Sequence, residues 1–274
     1  MGDPRGLERQ VWFYRLVALM LLVLVGMLAL KLKRIGVPVG EFGNEGEVWA
    51  VDLDERVPYL EETRGERADY SESYFYSPLG SVHLHAMGHQ QTTPLHLHPA
   101  SDEFTVIVSG TAHVTQAWGA DGGIVSRTAD FPAGSGLGSG RFTAHEWVNQ
   151  SSSAMLFNLV FTSPTFTGNF YVHGDDPRIL EGRPPTTVTV EADANRPELG
   201  GRLHTRRVAD AWTVPDTNHK PIMALVTDGT GQLGGITLRK NVLVHLEHEG
   251  PLNVKATTPL SLLLFDVTGN ALTR

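Results

Sequence analysis

The 274-residue sequence has no cysteine. That removes disulfides, thiolate nucleophiles and thiolate metal sites from consideration. A surplus of positive charge is also missing: 22 Lys and Arg stand against 30 Asp and Glu, a net charge of −8. An acidic surface repels phosphate backbones, which argues against nucleic acid as a partner. Beyond residue 35 no long amphipathic helix is visible. Only one stretch is a long hydrophobic run. With 41% hydrophobic and 19% charged residues, the chain is nevertheless that of a folded protein and not a disordered one.

The one long apolar run is residues 11–30, VWFYRLVALMLLVLVGMLAL. Twenty helical residues span about 30 Å, the thickness of a bilayer core. Arg15 lies near one end, where it can snorkel, and Trp12 and Tyr14 suit the interfacial belt. A cleaved signal peptide is the rival reading. No A-x-A-like site follows the run, and Lys31, Lys33 and Arg34 come at once, which favours an uncleaved anchor. Arg5, Arg9 and Arg15 balance those three charges, so the positive-inside count is a tie. The free amino terminus tips the reading towards a single-pass protein with its folded part outside the cytoplasm.

Residues 36–75 read as a juxtamembrane linker with one short strand around Val48 to Leu53. From Ser81 onward, β-rich runs alternate with Gly, Pro, Asp and Ser turns: Ser81 to Met87, Phe104 to Val108, Ala112 to Trp118, Glu146 to Asn149 and Met155 to Phe161. That punctuation predicts an all-β sandwich or barrel over 76–180. Residues 181–200, with Pro184, Pro185 and Pro197, read as a second linker. Strand texture returns over 201–274, in Ile222 to Val226, Ile236 to Leu238, Val242 to Leu246, Leu252 to Ala256 and Leu260 to Val267. Either these strands make a second small barrel or they extend the sheets of the first.

Seven of the twelve histidines lie between His83 and His145. The densest segment is His96-Leu97-His98, followed by Pro-Ala-Ser-Asp and Glu103. Residues two apart on a strand share a face, so His96 and His98 can aim at one point. Glu103 opens the returning strand, with Thr105 and Ile107 on its face, and Gly110 supplies the next turn. Two imidazoles and a carboxylate are three ligands for a borderline divalent ion such as Fe, Mn, Ni or Zn. The best fourth is His145, in His145-Glu-Trp-Val-Asn149 downstream of Pro132-Ala-Gly134.

The pattern His-x-His, four residues, Glu, six residues, Gly resembles the first motif of the cupin superfamily. Pro132-x-Gly134 with His145-x3-Asn149 resembles its second. The resemblance covers roughly Ser81 to Phe161. It implies a small jelly-roll barrel whose metal is held by His96, His98, Glu103 and His145. Seven residues separate Gly88 from His96 and ten separate Gly134 from His145, both longer than the family pattern. The longer insertion, Ser135 to Ala144, reads as a mobile flap over the barrel mouth. The C-terminal strands resemble the second barrel of a bicupin, but they lack any His-x-His-x4-Glu and so imply a degenerate half without metal.

His83-x-His85 is a second strand pair that either lines the cavity or faces solvent. Gln91, Arg141 and Trp147 are candidate substrate contacts, and Asn149 a structural hydrogen-bonder. His89, His113 and His173 read as ordinary polar residues, and His204 and His219 as loop residues. His245 and His248 are three apart and face opposite sides of a strand. Glu146 adjoins His145 but points to the other face, so no general acid or base stands out. Cupins with the implied ligand set include dioxygenases and isomerases. The leading expectation is therefore a membrane-anchored, metal-dependent oxygenase or isomerase acting on a small molecule. A non-catalytic binding or sensing module is the second reading, and a homodimer through the outer sheet with the metal as a staple is the third.

Overall fold

The structure, a computed structural model, describes residues 14, 15, 17, 20, 21, 48–64, 69–190, 199, 202–217 and 220–267. The five residues near the N-terminus belong to one compact unit and those from 48 onward to another. Tyr14, Arg15, Val17, Met20 and Leu21 are helical and exposed. The rest of the 11–30 run lies outside the described residues. Among those described, no helix is long and apolar enough to cross a membrane.

The larger unit opens with strand β1 (Trp49–Asp52) and helix α1 (Leu53–Arg64). Asp52 caps the helix, its Oδ1 accepting the Asp54 N–H at 3.0 Å. Asp54 and Glu55 then occupy the first turn, where negative charge complements the helix dipole. Ten strands follow as a nearly continuous run: β2 (Asp69–Ser77), β3 (Gly80–Met87), β4 (Thr92–Leu97), β5 (Asp102–Ser109), β6 (Thr111–Ala120), β7 (Gly123–Pro132), β8 (Ser135–Ser139), β9 (Ala144–Val148), β10 (Leu156–Ser163) and β11 (Phe170–Tyr171). A short 3₁₀ turn (Pro177–Glu181) leads to β12 (Thr186–Thr189). The second half comprises β13 (Leu203–Val208), β14 (Ala211–Val214), β15 (Ile222–Asp228), β16 (Thr230–Leu233), β17 (Ile236–Arg239), β18 (Val242–Leu246), β19 (Leu252–Ala256) and β20 (Leu260–Asp266).

These strands form two sandwiches, and every pairing described is antiparallel. In the first, a six-stranded sheet ordered β12-β8-β5-β10-β3-β2 faces a five-stranded sheet ordered β11-β4-β9-β6-β7. In the second, β1-β18-β15-β20-β13 faces β14-β19-β16-β17. The long β6–β7 hairpin turns on Asp121-Gly122, both at positive φ (50° and 78°), the two-residue turn that matches strand twist.

The two sandwiches share one core. Alternation along β10 sends Phe157, Leu159 and Phe161 away from the first barrel's interior, aligned with Ala86, Leu84 and Val82 of β3. They pack with Met223, Leu225, Leu243, Leu263 and Phe265 of the second half. The Phe161 and Phe265 rings meet edge to face at 5.7 Å. Leu53, Val57 and Leu60, spaced to fall on one face of α1, join this core. Arg56 on the same helix forms an ion pair with Glu72 of β2 at 2.6 Å.

Several expectations need correction here. The segment read as a linker over 36–75 holds β1, α1 and the first strand of the barrel. It lacks an alternating apolar signal because β1 and β2 pack as edge strands and α1 presents only a narrow apolar stripe. The linker read over 181–200 holds β12, which pairs with β8. Ser135 to Ser139 is not a flap but the strand β8, between β5 and β12. Its glycines are read poorly by propensity, yet Gly136 is required: a Cβ there would sit 2.7 Å from the Phe104 ring and 3.0 Å from both Val188 and Val190. His204 lies on β13 and not in a loop, and His219 lies outside the described residues.

Candidate metal centre

His96 ends up opposite His145 because β4 pairs with β9 in that register. Their ring centroids are 4.4 Å apart. His98 follows β4 directly and brings its ring to 5.1 Å from each of the other two. One ring nitrogen from each histidine lies within 4.8 Å of the others, a group able to hold a divalent metal ion. All three are almost completely buried.

Glu103, at the start of β5 on the facing sheet, aims its carboxylate into the same space. Oε2 lies 3.2 Å from His98 Nε2 and Oε1 lies 3.6 Å from His145 Nε2. Two donors each about 2.1 Å from a common ion lie roughly 3 Å apart, so this spacing suits shared ligation. Thr105, two residues on and on the same face, donates its hydroxyl to Glu103 Oε1 at 3.0 Å.

The hydrogen bonds settle which nitrogens are available. His96 Nδ1 lies 2.8 Å from the Pro94 carbonyl and His98 Nδ1 lies 3.2 Å from the Gly168 carbonyl. A carbonyl only accepts, so each Nδ1 carries the proton and each Nε2 keeps a free lone pair. The Nε2 atoms of His98 and His145 are buried and make no hydrogen bond. Burying such a nitrogen unpaired is costly, and a cation removes that cost.

The electrostatics agree. Burial, reinforced by His145 and His98, holds the His96 imidazole well below its ordinary pKa. Burial likewise pushes His145 down to about 4. Both rings are thus neutral near pH 7, the form that ligates. Burial alone would raise the Glu103 carboxyl, but His145, His98 and His96 together hold it well below the usual carboxylate range. The centre therefore offers neutral nitrogens from His96 and His145 and a negative oxygen from Glu103, a donor set suited to a borderline divalent ion.

Beside these residues lies a cavity of about 70 Å³, lined by Ser71, His83, His85, Thr93, His96, Glu103, Thr105, Trp147, Asn158, Val160, Phe166 and Asn169. That is room for a handful of waters or one small molecule. His83-x-His85 does face inward, beside Val160 and Asn158 of β10. His85 Nε2 meets Asp69 at 2.8 Å. The segment after β10 covers one side: Phe166 sets its ring against His83 (5.4 Å) and His98 (5.3 Å), and Tyr171 pairs with His96.

Of the other candidates, Trp147 lines the cavity, whereas Gln91 and Arg141 do not. The Arg141 side chain is exposed, and its N–H donates to Asp102 Oδ1 at 2.9 Å. Asn149 is structural: its amide donates to the Met87, Gly88 and Ala154 carbonyls at 3.2, 2.9 and 2.9 Å. Residue-by-residue reading missed Ser71, Asn158, Phe166 and Asn169. Asn158 was the most findable, as a lone amide in the apolar run Leu156-Phe-Asn-Leu-Val-Phe161.

No protein-family model matches the sequence, and no curated protein does. Solved structures do match in fold. The chain is similar to a salicylate 1,2-dioxygenase from Pseudaminobacter salicylatoxidans at 13% identity, covering 85% of this chain and 87% of that one with a TM-score of 0.54. It is also similar to a cupin 2 conserved barrel domain protein from Leptotrichia buccalis, at 10% identity, 80% and 96% coverage and a TM-score of 0.50. The bacterial pirin YhhW from Escherichia coli, solved in complex with nickel(II), matches at 15% identity, 80% and 98% coverage and a TM-score of 0.49. With its two packed antiparallel sandwiches and a three-histidine group inside the first, the chain has the cupin fold.

Proposed function

We propose that this chain is a metal-dependent enzyme, an oxygenase or isomerase, that acts on a small molecule inside its first barrel. His96, His98, Glu103 and His145 hold the ion. The observation that carries the reading is the convergence of three buried imidazoles and one carboxylate beside an internal cavity. A salicylate dioxygenase of the same fold is consistent with it. A divalent ion held there supplies Lewis-acid or oxygen chemistry according to its identity.

The chain's own residues prepare that chemistry. The Pro94 and Gly168 carbonyls fix the tautomers of His96 and His98. Thr105 steadies Glu103. Phe166 shields one flank of the centre from water. His83, held down to about 4 by burial and then by His85, is neutral near pH 7 and can hydrogen-bond a ligand in the cavity.

The second reading is a ligand-binding module without catalysis. Its support is that, among the described residues, Glu103 is the sole carboxylate lining the cavity, so none of them is left over as a general acid or base.

Elemental analysis of the purified full chain tests the metal. Near-stoichiometric Fe, Mn, Ni or Zn is expected, and the His96→Ala/His98→Ala variant should hold none. Unchanged metal in that variant overturns the site. Iron directs the next assay to oxygen uptake, and zinc directs it to isomerisation.

The same proposal places residues 11–30 as a single-pass anchor, with the barrels on the extracytoplasmic side and the membrane as the second partner. The support is the long apolar run, whose single charge, Arg15, lies near one end. Alkaline carbonate should leave the full chain in the membrane pellet and release a chain lacking 11–30. Release of both overturns the anchor.

A further inference from the structure

Asn158 is fully buried on β10, yet neither its Nδ2 nor its Oδ1 makes a hydrogen bond. Both atoms belong to a side chain that lines the cavity. Asn149 provides an internal comparison. It is equally buried, but its amide donates to three carbonyls and its Oδ1 accepts the Ser151 N–H at 3.1 Å. This protein satisfies an amide where the amide serves the fold. Leaving one unpaired in an interior costs stability, so its retention points to a partner that is not part of the chain.

The position of Asn158 says what that partner is. Register places it between His85 of β3 and Ile107 of β5, and Ile107 belongs to a dry apolar cluster with Met87 and Leu156. Asn158 therefore stands where the cavity gives way to packed core, on the wall that carries Ser71, His83 and Thr105. Among the described residues, no Lys or Arg lines the cavity. A carboxylate at this wall would have no fixed cation to offset its desolvation, and an ammonium group would have no acid of its own beyond Glu103. A hydroxyl or carbonyl suits it, because Asn158 offers both a donor and an acceptor.

We propose that Asn158 is the specificity-determining residue of a subsite for the uncharged, oxygen-bearing end of a small molecule whose other end lies at the metal centre. This rests on the metal-dependent reading above. The ligand class is a small neutral hydroxycarbonyl compound, not a dicarboxylate. The cavity of about 70 Å³ limits it to a few carbons.

The test uses the full chain loaded with Co(II), with dihydroxyacetone and oxalate as probes, read by the visible Co(II) spectrum and by calorimetry. Dihydroxyacetone should bind the unaltered chain. Asn158→Leu should weaken it about tenfold or more, as expected when a ligand hydroxyl loses a buried hydrogen-bond partner. Oxalate binding should change less than twofold and metal content not at all. Asn158→Leu should also melt no lower than the unaltered chain, because an unpaired amide has been replaced by an apolar group of similar size. Asn158→Ser serves if the leucine variant does not fold. Equal dihydroxyacetone binding by variant and parent overturns the proposal and leaves an amide bridged by water. Preference of the parent for oxalate overturns the ligand class. A chain that takes up no Co(II) overturns the metal reading separately; calorimetry of the metal-free chain then decides Asn158 by the same parent-to-variant ratio.

Discussion

His96 and His145 are direct cross-strand partners on β4 and β9, with ring centroids 4.4 Å apart. Forty-nine positions of sequence separate them, and the pairing of two strands closes that distance. Each supplies a buried nitrogen to the same group. Replacing either by Ala removes one of three imidazoles and leaves the others facing a void. We expect His145→Ala to lose bound metal to the same degree as His96→Ala, measured by elemental analysis after gel filtration. Retention of full metal by His145→Ala would show that the ion is held without that strand.

Glu103 sets its carboxylate against His98 and His145, and Thr105 fixes one of its oxygens. Glu103→Gln keeps the shape and removes the charge. Thr105→Val keeps the volume and removes the hydroxyl donor. Supporting hydrogen bonds at metal sites contribute about 10- to 100-fold in affinity. Chelator competition should therefore show a loss of about tenfold for Thr105→Val and a larger one for Glu103→Gln. If Thr105→Val binds metal as tightly as the parent, that hydrogen bond is incidental.

Metal-free protein should lose stability as the medium becomes acid. His145 is 1% exposed, and burial lowers it from 6.5 to about 4 in the folded chain. The unfolded chain takes up that proton as pH falls through 6.5, whereas the folded chain does not until about 4. The stability is thus fully present above pH 6.5 and declines down to about 4, by roughly 3 kcal/mol for one such group. Urea midpoints of the metal-free chain should be clearly lower at pH 5 than at pH 7. His145→Gln should narrow that gap, and an unchanged gap would assign the pH dependence to other groups.

Much of this was legible locally. Strands β18 and β19 coincide with the expected runs Val242 to Leu246 and Leu252 to Ala256, because alternation or a continuous apolar run marks a strand without reference to its partners. The His-x-His spacing similarly places 96 and 98 together. What stayed hidden depends on distant pairing. Trp49 faces His245, and the two rings stack at 5.1 Å, a contact between residues far apart in sequence that leaves no mark near either. The strand Ser135–Ser139 hid behind its glycines, whose reason is the closeness of Phe104, Val188 and Val190. Asn158 was passed over because alternation alone does not say that its side of β10 opens onto a cavity.

The shared core makes a prediction about cooperativity. Phe265 of the second sandwich is fully buried, and its ring meets Phe161 of the first at 5.7 Å. Strand β1 precedes the first sandwich in the chain yet pairs with β18 of the second. Two independent domains joined by a linker would unfold in two steps. Here the outward face of one sheet is the apolar partner of the other, so exposing either leaves the other uncovered. Phe265→Ala should cost about 3–5 kcal/mol, the range for deleting a buried aromatic ring. Moreover, it should shift one transition that ring fluorescence and backbone circular dichroism report together. A variant in which one half melts early while the metal centre keeps its spectrum would mean that the halves are separate folding units, with the Phe161–Phe265 contact merely adjoining them.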